Sequence, residues 1–521
     1  MKNDRQMESI RHRSVFMGLC VGLALLLITA GGAGAVAITN EYWIHDKTNG
    51  LNAGTLADPF QATNQVSFDS IMAQVTATTN VTIHLLPGTY NTSGNNYWEI
   101  NPWRLKSGSR LLGSGMHATT VKLTNNPPAN THVIEGNFGA ARVEVADLTV
   151  DANGQSAVTY DWTHGVVLYG RDCTIQRVRL INTKGEAASG KSSFGLRIWP
   201  LQSSAQDSPV DVTATGGTIR DCILESFQGD YHQGVGMVGG GSIENCKVYF
   251  PPQATNWGLA YTGWYVNNLL VRGNYSENGS SGYYSENSTT NLIVSHNFFK
   301  NVSVGVYVAI GVGNEHMDNV SLLFNKIECN AGYSGGGGIS FWRASSNRFS
   351  NIRVIGNTIR SLYGAVPPAV QAGINLVGVS GGVVRDNVVA TNCTYVFADS
   401  VDLNVSDNFD FEGRLLTKIN QVQPVGSIQR RAVSANATLG YGDRYVGVNP
   451  SSSMTITLPS ASSREGKDFI IVDESGTASG SRTITIQAAS GETINGSSTV
   501  VINSAYGFRR LISAGSKWVL Y

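Results

Sequence analysis

The feature that most constrains this chain is a short motif that returns along its middle at a loosely kept interval. A β-branched residue or Leu comes first, then two polar or small residues, then a fourth that is small and polar or apolar. The motif runs from Val145-Ala146-Asp147-Leu148 through Ile175–Val178, Ile219–Cys222, Ile243–Cys246 and Val271–Asn274. It continues through Val294–Asn297, Leu322–Asn325, Val354–Asn357 and Val384–Asn387 to Val405–Asn408. Fourth positions lie 21 to 32 residues apart, with one gap of 44, and average about 29. Units so short, rich in strand formers and Gly turns and lacking a helical pattern between them, cannot each bury a core. They have to stack on one another, which predicts a β-solenoid. At the usual strand spacing the stretch makes a rod about 43 Å long. The long gap implies an insertion, assigned to the polar segment Gln202–Pro209.

The fourth position changes along the rod from Leu148, Val178, Cys222 and Cys246 to six consecutive Asn. An interior Asn without a partner costs on the order of 1–3 kcal/mol. Side-chain amides stacked from coil to coil can satisfy one another in a ladder. The Asn column is therefore read as structural, and Cys222 and Cys246 as interior residues of the same stack. The other cysteines follow no disulfide framework and form no C-x-x-C pair.

Composition narrows the function classes. Charged residues are 14% of the chain, against roughly 25% in ordinary soluble proteins. Lys plus Arg (37) equals Asp plus Glu (37). A zero net charge argues against nucleic-acid binding, which needs a basic face to neutralise phosphates. At the N-terminus, Lys2, Arg5, Arg11 and Arg13 precede an apolar run from Val15 to Ala30, then Ala33-Gly34-Ala35 and Ala35-Val36-Ala37. Residues 1–37 thus read as a secretory signal, or as a membrane anchor if uncleaved, and the location as secreted or cell surface. Phe68, Ile71, Met72 and Val75 fall at i, i+3, i+4 and i+7, which predicts a helix that covers the open first coil.

The parallel β-helix domain is expected over residues 38–413, with a linker at 414–432. From Val433 the pattern changes to short strands separated by Gly, Ser and Asn turns at hairpin-like intervals. These are Met454–Leu458, Phe469–Val472, Thr483–Gln487, Val500–Asn503, Leu511–Ser513 and Trp518–Tyr521, a small C-terminal β domain over 433–521.

The repeats resemble those of right-handed parallel β-helix proteins, the pectate-lyase-like superfamily. So does the entry segment Gly54-Thr55-Leu56-Ala57-Asp58-Pro59-Phe60, followed after the helix by Leu85-Leu86-Pro87-Gly88-Thr89-Tyr90. The resemblance covers residues 40–413 and implies an all-β fold of ten or more coils. It implies little chemistry, because the superfamily holds lyases, hydrolases, epimerases, tailspikes and adhesins. Thr455-Ile456-Thr457-Leu458-Pro459 and Asp473-Glu474-Ser475-Gly476 are similar to small β modules at the ends of phage tail fibres. By that analogy the module serves attachment or trimerisation, the chain then forming a homotrimer; the alternative is a plain end-cap that shields the last coil.

In a stack, residues at equal offset from the Asn column line up along the rod. Eight to twelve residues past the stack position stand Glu186, Asp230, His232, Trp257, Tyr283, Tyr284, Glu286 and Tyr307, with Trp264, Trp342 and Arg343 slightly further on. A row of aromatic faces suits the sugar rings of a linear glycan. The expected catalytic groups are Asp230, His232, Glu286 and Glu186. The expected substrate-binding groups are Trp257, Trp264, Tyr283, Tyr284, Tyr307 and Arg343. Asp230-Tyr231-His232 is similar to the Asp-x-His element of β-helix alginate epimerases, with Tyr231 where that family has Pro.

A lyase would use a base such as Lys184, Lys191 or Arg197, and Asp147, Asp151 and Asn153 could supply oxygen ligands to Ca²⁺. No other cofactor is suggested. The signatures of polygalacturonases are absent. The expected partner is a polysaccharide or cell-surface glycan. The sequence thus reads as a polysaccharide lyase or glycoside hydrolase, or alternatively as a non-enzymatic adhesin or tail-fibre-like protein.

Overall fold

Strand pairing follows the repeat. The computed structural model describes residues 40–48, 52–96, 103–124, 131–154, 163–185, 192–200, 216–252, 258–310, 317–330, 337–343, 349–361, 372–390, 394–396, 400–411, 413, 419–420, 430–440, 443, 445–463 and 468–521. All but Asn40 and Glu41 fall in one compact unit, Tyr42–Tyr521. The N-terminal leader and the insertion at Gln202–Pro209 lie outside the described residues.

Each coil contributes to three parallel sheets. In the first sheet Gly217–Arg220 pairs with Gly241–Glu244, and that strand pairs with residues 269–272. In the second Ile223–Glu225 pairs with Lys247–Tyr249, and then Lys247–Tyr249 with Tyr275–Glu277. In the third Ser193–Ile198 pairs with His232–Val238, and then His232–Val238 with the start of Gly258–Arg272. The fold is the parallel β-helix expected. The third-sheet strand Ile419–Asn420 pairs with Thr394–Val396, so coil pairing runs past Gly413.

Two backbone devices shape the coil. Asn274, Asn297, Asn325, Asn357, Asn387 and Asn408 are all buried. Each amide Nδ2 of the first five donates to the Oδ1 of the next, at 2.8–3.0 Å. Each also donates to a main-chain carbonyl one coil back, as Asn297 does to Val271 at 3.0 Å. The thiols of Cys222 and Cys246 point at the equivalent carbonyls, of Ile175 and Ile219. They occupy the same column, as the sequence implied.

The residue just before the column is left-handed in every coil, with φ of 61° at Asp147, 49° at Arg177, 55° at His296 and 51° at Asp407. That residue turns the chain from the first sheet into the second. Asp, Asn and Gly predominate there because they tolerate this region best.

The helix Gln65–Val75 forms, capped by Asn64, with Phe68, Ile71, Met72 and Val75 buried. These side chains join the core of the first coils, among them Tyr90 and Trp103. Among the described residues no helix is long and apolar enough to cross a membrane.

Arg430–Tyr521 builds two further sheets around a separate core that includes Val446, Ile456, Phe469, Ile484 and Trp518. Every short strand expected there is present. Hairpin pairing joins Ile484–Gln487 to Thr499–Ile502 and Phe508–Ser513 to Trp518–Leu520. The earlier strands pair in parallel instead, Arg430–Val433 with Tyr445–Val448 and Met454–Thr457 with Ile484–Gln487. The module therefore begins with solenoid-like pairing and closes with antiparallel strands.

Candidate functional site on the third sheet

The third sheet alternates inward and outward side chains, as a strand must. Its inward positions include a column of small residues: Gly165, Gly195, Gly234, Ala260, Gly282, Gly305 and Gly338. A Cβ on Gly195 would lie 2.3 Å from the Gly234 carbonyl and 2.6 Å from Leu224, and one on Gly305 would lie 2.5 Å from both Gly338 O and Ile327. The small column lets the second sheet's aliphatic side chains reach across the core. The next residue of each strand, Val166, Leu196, Val235, Tyr261, Tyr283, Val306 or Ile339, also lies in the core. The alternation therefore slips by one there, and the side chains two and four residues past the small column face outward.

One outward row runs Glu135, Val167, Arg197, Gly236, Thr262, Tyr284, Tyr307 and Ser340. Beside it runs Tyr169, Trp199, Val238, Trp264, Glu286, Ala309 and Trp342. Rings crowd both rows. Phe138 stacks on Tyr169 at 4.6 Å between centroids, and Tyr169 meets Trp199 at 6.3 Å. Tyr284 and Tyr307 meet at 5.6 Å. Trp342 is 45% exposed.

At the centre lies a cleft of about 280 Å³ lined by Phe194, Arg197, Trp199, Gln233, Val238, Trp264 and Tyr265. The Arg197 guanidinium lies 4.1 Å from the Phe194 ring centroid, 4.0 Å from Trp199 and 4.3 Å from Trp264. Arg197 and Trp264 belong to coils two apart, and the intervening residue is Gly236. A Cβ there would meet Thr262 Oγ1 at 2.7 Å, the Trp264 ring at 3.4 Å and Arg197 Cγ at 3.7 Å. In the lining, Gln233 Oε1 and Trp199 Nε1 are buried and have no hydrogen-bond partner among the described residues.

Toward the N-terminal end the same face holds buried His132, His164 and Glu135. Arg104 Nε donates to Glu135 Oε2 at 3.1 Å, and His132 Nδ1 stands 3.8 Å from Glu135 Oε1. The His164 Nδ1 accepts from Phe194 N–H at 2.7 Å, which assigns the ring proton to Nε2. Burial, then the charges of His132 and Arg197, hold His164 well below the ordinary imidazole range.

The sequence-predicted residues separate into groups. Trp264, Tyr284, Tyr307 and Glu286 face outward on this sheet, and Tyr284 Oη donates to Glu286 Oε2 at 3.0 Å. Burial and the adjacent carboxylate raise the Tyr284 phenol well above its usual range. Tyr283, one residue earlier, faces inward and is fully buried in the core. It cannot touch a ligand on this face.

His232 is 1% exposed, lies against the core rings Phe227 and Phe250, and meets Ser193 Oγ at 2.9 Å. Asp230 sits half-buried on the turn before that strand. The expectation of both side chains on one open face fails because Asp230 precedes the strand and His232 points inward. Glu286 is in register with Trp264 and, through it, with Val238. Val238 lies at the opposite end of the strand from His232, about 20 Å away. Two coil spacings alone therefore understate the separation of Asp230 and Glu286.

Glu186 and Trp257 lie outside the described residues. Arg343 ends the strand Ile339–Arg343, in backbone register with Ile310.

Of the suggested calcium ligands, Asp147 accepts from Arg177 Nε and Nη2 at 2.6 and 2.7 Å, whereas Asp151 accepts from Asn182 Nδ2 and from the Asn153 main-chain N–H, both at 2.9 Å. Among the described residues no group of three His, Cys, Asp or Glu could hold a metal ion.

No family model matches the chain, and no curated protein matches it. Solved structures do. A family 28 exopolygalacturonase from Yersinia enterocolitica is 9% identical, with a TM-score of 0.45 over 69% of this chain and 73% of its own. The A-module of a mannuronan C-5 epimerase from Azotobacter vinelandii is 15% identical, with a TM-score of 0.39 over 66% and 94%. The tailspike of Escherichia coli bacteriophage HK620 is 11% identical, with a TM-score of 0.44 over 77% and 74%.

Proposed function

We propose that the protein acts on a linear glycan laid along the outer face of the third sheet. One observation carries this reading: outward aromatic side chains recur from Trp199 to Trp342 on all but one of the successive coils, around a cleft with buried polar atoms. Ring faces bind sugar faces, and Gln233 Oε1 and Trp199 Nε1 offer an acceptor and a donor to one hydroxyl. Polysaccharide-directed β-helix proteins among the similar structures agree with it.

Within this reading Glu286 is the acid–base group, positioned by Tyr284 beside Trp264. Lysis or hydrolysis of a glycosidic bond is the activity proposed, and secretion places the protein where such polymers occur. The second reading is binding without cleavage, as an adhesin or fibre; it is favoured by the inward turn of His232, which leaves Glu286 without the partner expected.

Incubation with a panel of neutral and acidic polysaccharides separates these. New reducing ends with the ultraviolet absorbance of unsaturated uronides identify a lyase, and reducing ends alone a hydrolase. Retention on an immobilised glycan without either signal identifies a binder. Retention on none removes the groove.

A further inference from the structure

The cleft at the centre of the third sheet carries a more specific reading, which rests on the glycan groove proposed above. Three consecutive coils build it. Arg197 comes from the first, Gly236 leaves a gap in the second, and Trp264 from the third closes over that gap. Trp199 and Phe194 complete a cage around the guanidinium, and Arg197, 5% exposed, still lines the cleft.

A cation so placed is stripped of most of its water, and an anion that reaches it finds a stronger, less screened partner than at a surface. Planar guanidinium also matches the oxygen geometry of carboxylate and sulfate. His164 on the same face adds no charge, since burial holds it well below the ordinary imidazole range. Gln233, nine-tenths buried, lines the same cleft; its Oε1 has no hydrogen-bond partner among the described residues, while its Nε2 donates to Ser192 at 3.1 Å. Trp199 contributes an indole N–H with no hydrogen-bond partner among the described residues. A charge, an acceptor, a donor and an aromatic wall thus converge within one cleft of about 280 Å³. The groups match one sugar unit that carries both hydroxyls and an anionic substituent.

We infer that this cleft is a subsite for an acidic sugar residue, whose carboxylate or sulfate ester pairs with Arg197 while its ring lies against Trp264. The glycan is therefore a polyanion, and the neutral backbone alone is a poor ligand.

Affinity electrophoresis of the full chain tests this. The probes are polygalacturonate, its fully methyl-esterified form and a sulfated galactan. The ester removes the acid's charge at the cost of one methyl group per sugar, and the galactan tells sulfate from carboxylate as the anion. We expect at least roughly tenfold tighter retention by one anionic polymer than by the ester, the factor typical of a charge-assisted pair. Arg197→Gln should erase that preference and leave weak ester retention within about twofold, whereas Trp264→Ala should weaken retention by both.

Should Arg197→Gln fail to fold, the native chain decides alone. Its preference for the polyanion over the ester must persist as salt rises to about 0.15 M, where contacts with exposed cations are largely screened. Equal retention of acid and ester by the native chain, or a preference that survives Arg197→Gln, overturns the acidic subsite and leaves the groove standing. Retention of no polymer overturns the groove itself and the subsite with it.

Discussion

At the scale of single residues, the Asn column shows how one side-chain type can set both pitch and register. Asn297 accepts from the Asn274 amide and main-chain N–H and donates to Val271 O and Asn325 Oδ1. Removing it strands groups in two neighbouring coils. Asn297→Ala should therefore cost about 3 kcal/mol or more, and Asn408→Ala, at the end of the ladder, clearly less. Urea midpoints of the two variants check the order.

The ladder was legible because the amides stand at a fixed place in the motif. The left-handed residue before each was equally visible as Asp, Asn or Gly, but Arg177, His296 and Phe324 hide it by occupying the same turn. His232 was misplaced for a different reason: two-residue alternation holds inside a strand, and Asp230 is outside it.

Burial drives the His232 pKa down to about 4. The unfolded chain takes up that proton near pH 6.5 and the folded chain only near 4. Stability is therefore intact above about pH 6.5 and falls as pH drops to about 4, by on the order of 3 kcal/mol. His164 adds a loss of the same sign. Melting temperatures of the native chain and His232→Gln between these pH values should converge toward the acid end. Parallel curves would show that His232 plays no part.

At the scale of elements, the helix and the third sheet illustrate opposite degrees of legibility. The apolar face of Gln65–Val75 was plain from its spacing. What ties it down was not, since Asp69 carries no periodic signal. Its carboxylate accepts from Thr92 Oγ1 at 2.6 Å, Ser93 N at 3.0 Å, Ser93 Oγ at 2.8 Å and Trp103 Nε1 at 3.1 Å. Asp69→Ala leaves several buried donors unsatisfied and should cost roughly 3 kcal/mol or more. Amide exchange of residues 65–75 should rise before that of the Asn ladder, and uniform exchange across both would contradict this.

The third sheet was misread in detail because offsets were counted from the Asn column, across corners of variable length. Its own small-residue column, Gly195 to Gly338, supplies the better ruler. Counting two and four residues onward from each small residue yields Arg197, Trp199, Gly236, Trp264, Tyr284 and Glu286 directly. The same count places Tyr283 inside.

At the scale of the whole molecule, a solenoid converts sequence distance into axial distance at one strand spacing per coil. The outward row from Trp199 to Trp342 spans five such spacings, about 24 Å. A ligand that lies along this row gains contacts with each added sugar until it covers both ends, and gains none beyond. Affinity for size-fractionated oligosaccharides of the retained polymer should thus climb with length and then level off near that span. Trp342→Ala should lower the plateau without changing affinity for the shortest fragments, which fill only the Arg197 cleft. Calorimetric titration of the length series reads both effects. A length-independent affinity would mean that the cleft binds an isolated sugar and that the rest of the aromatic row serves packing alone.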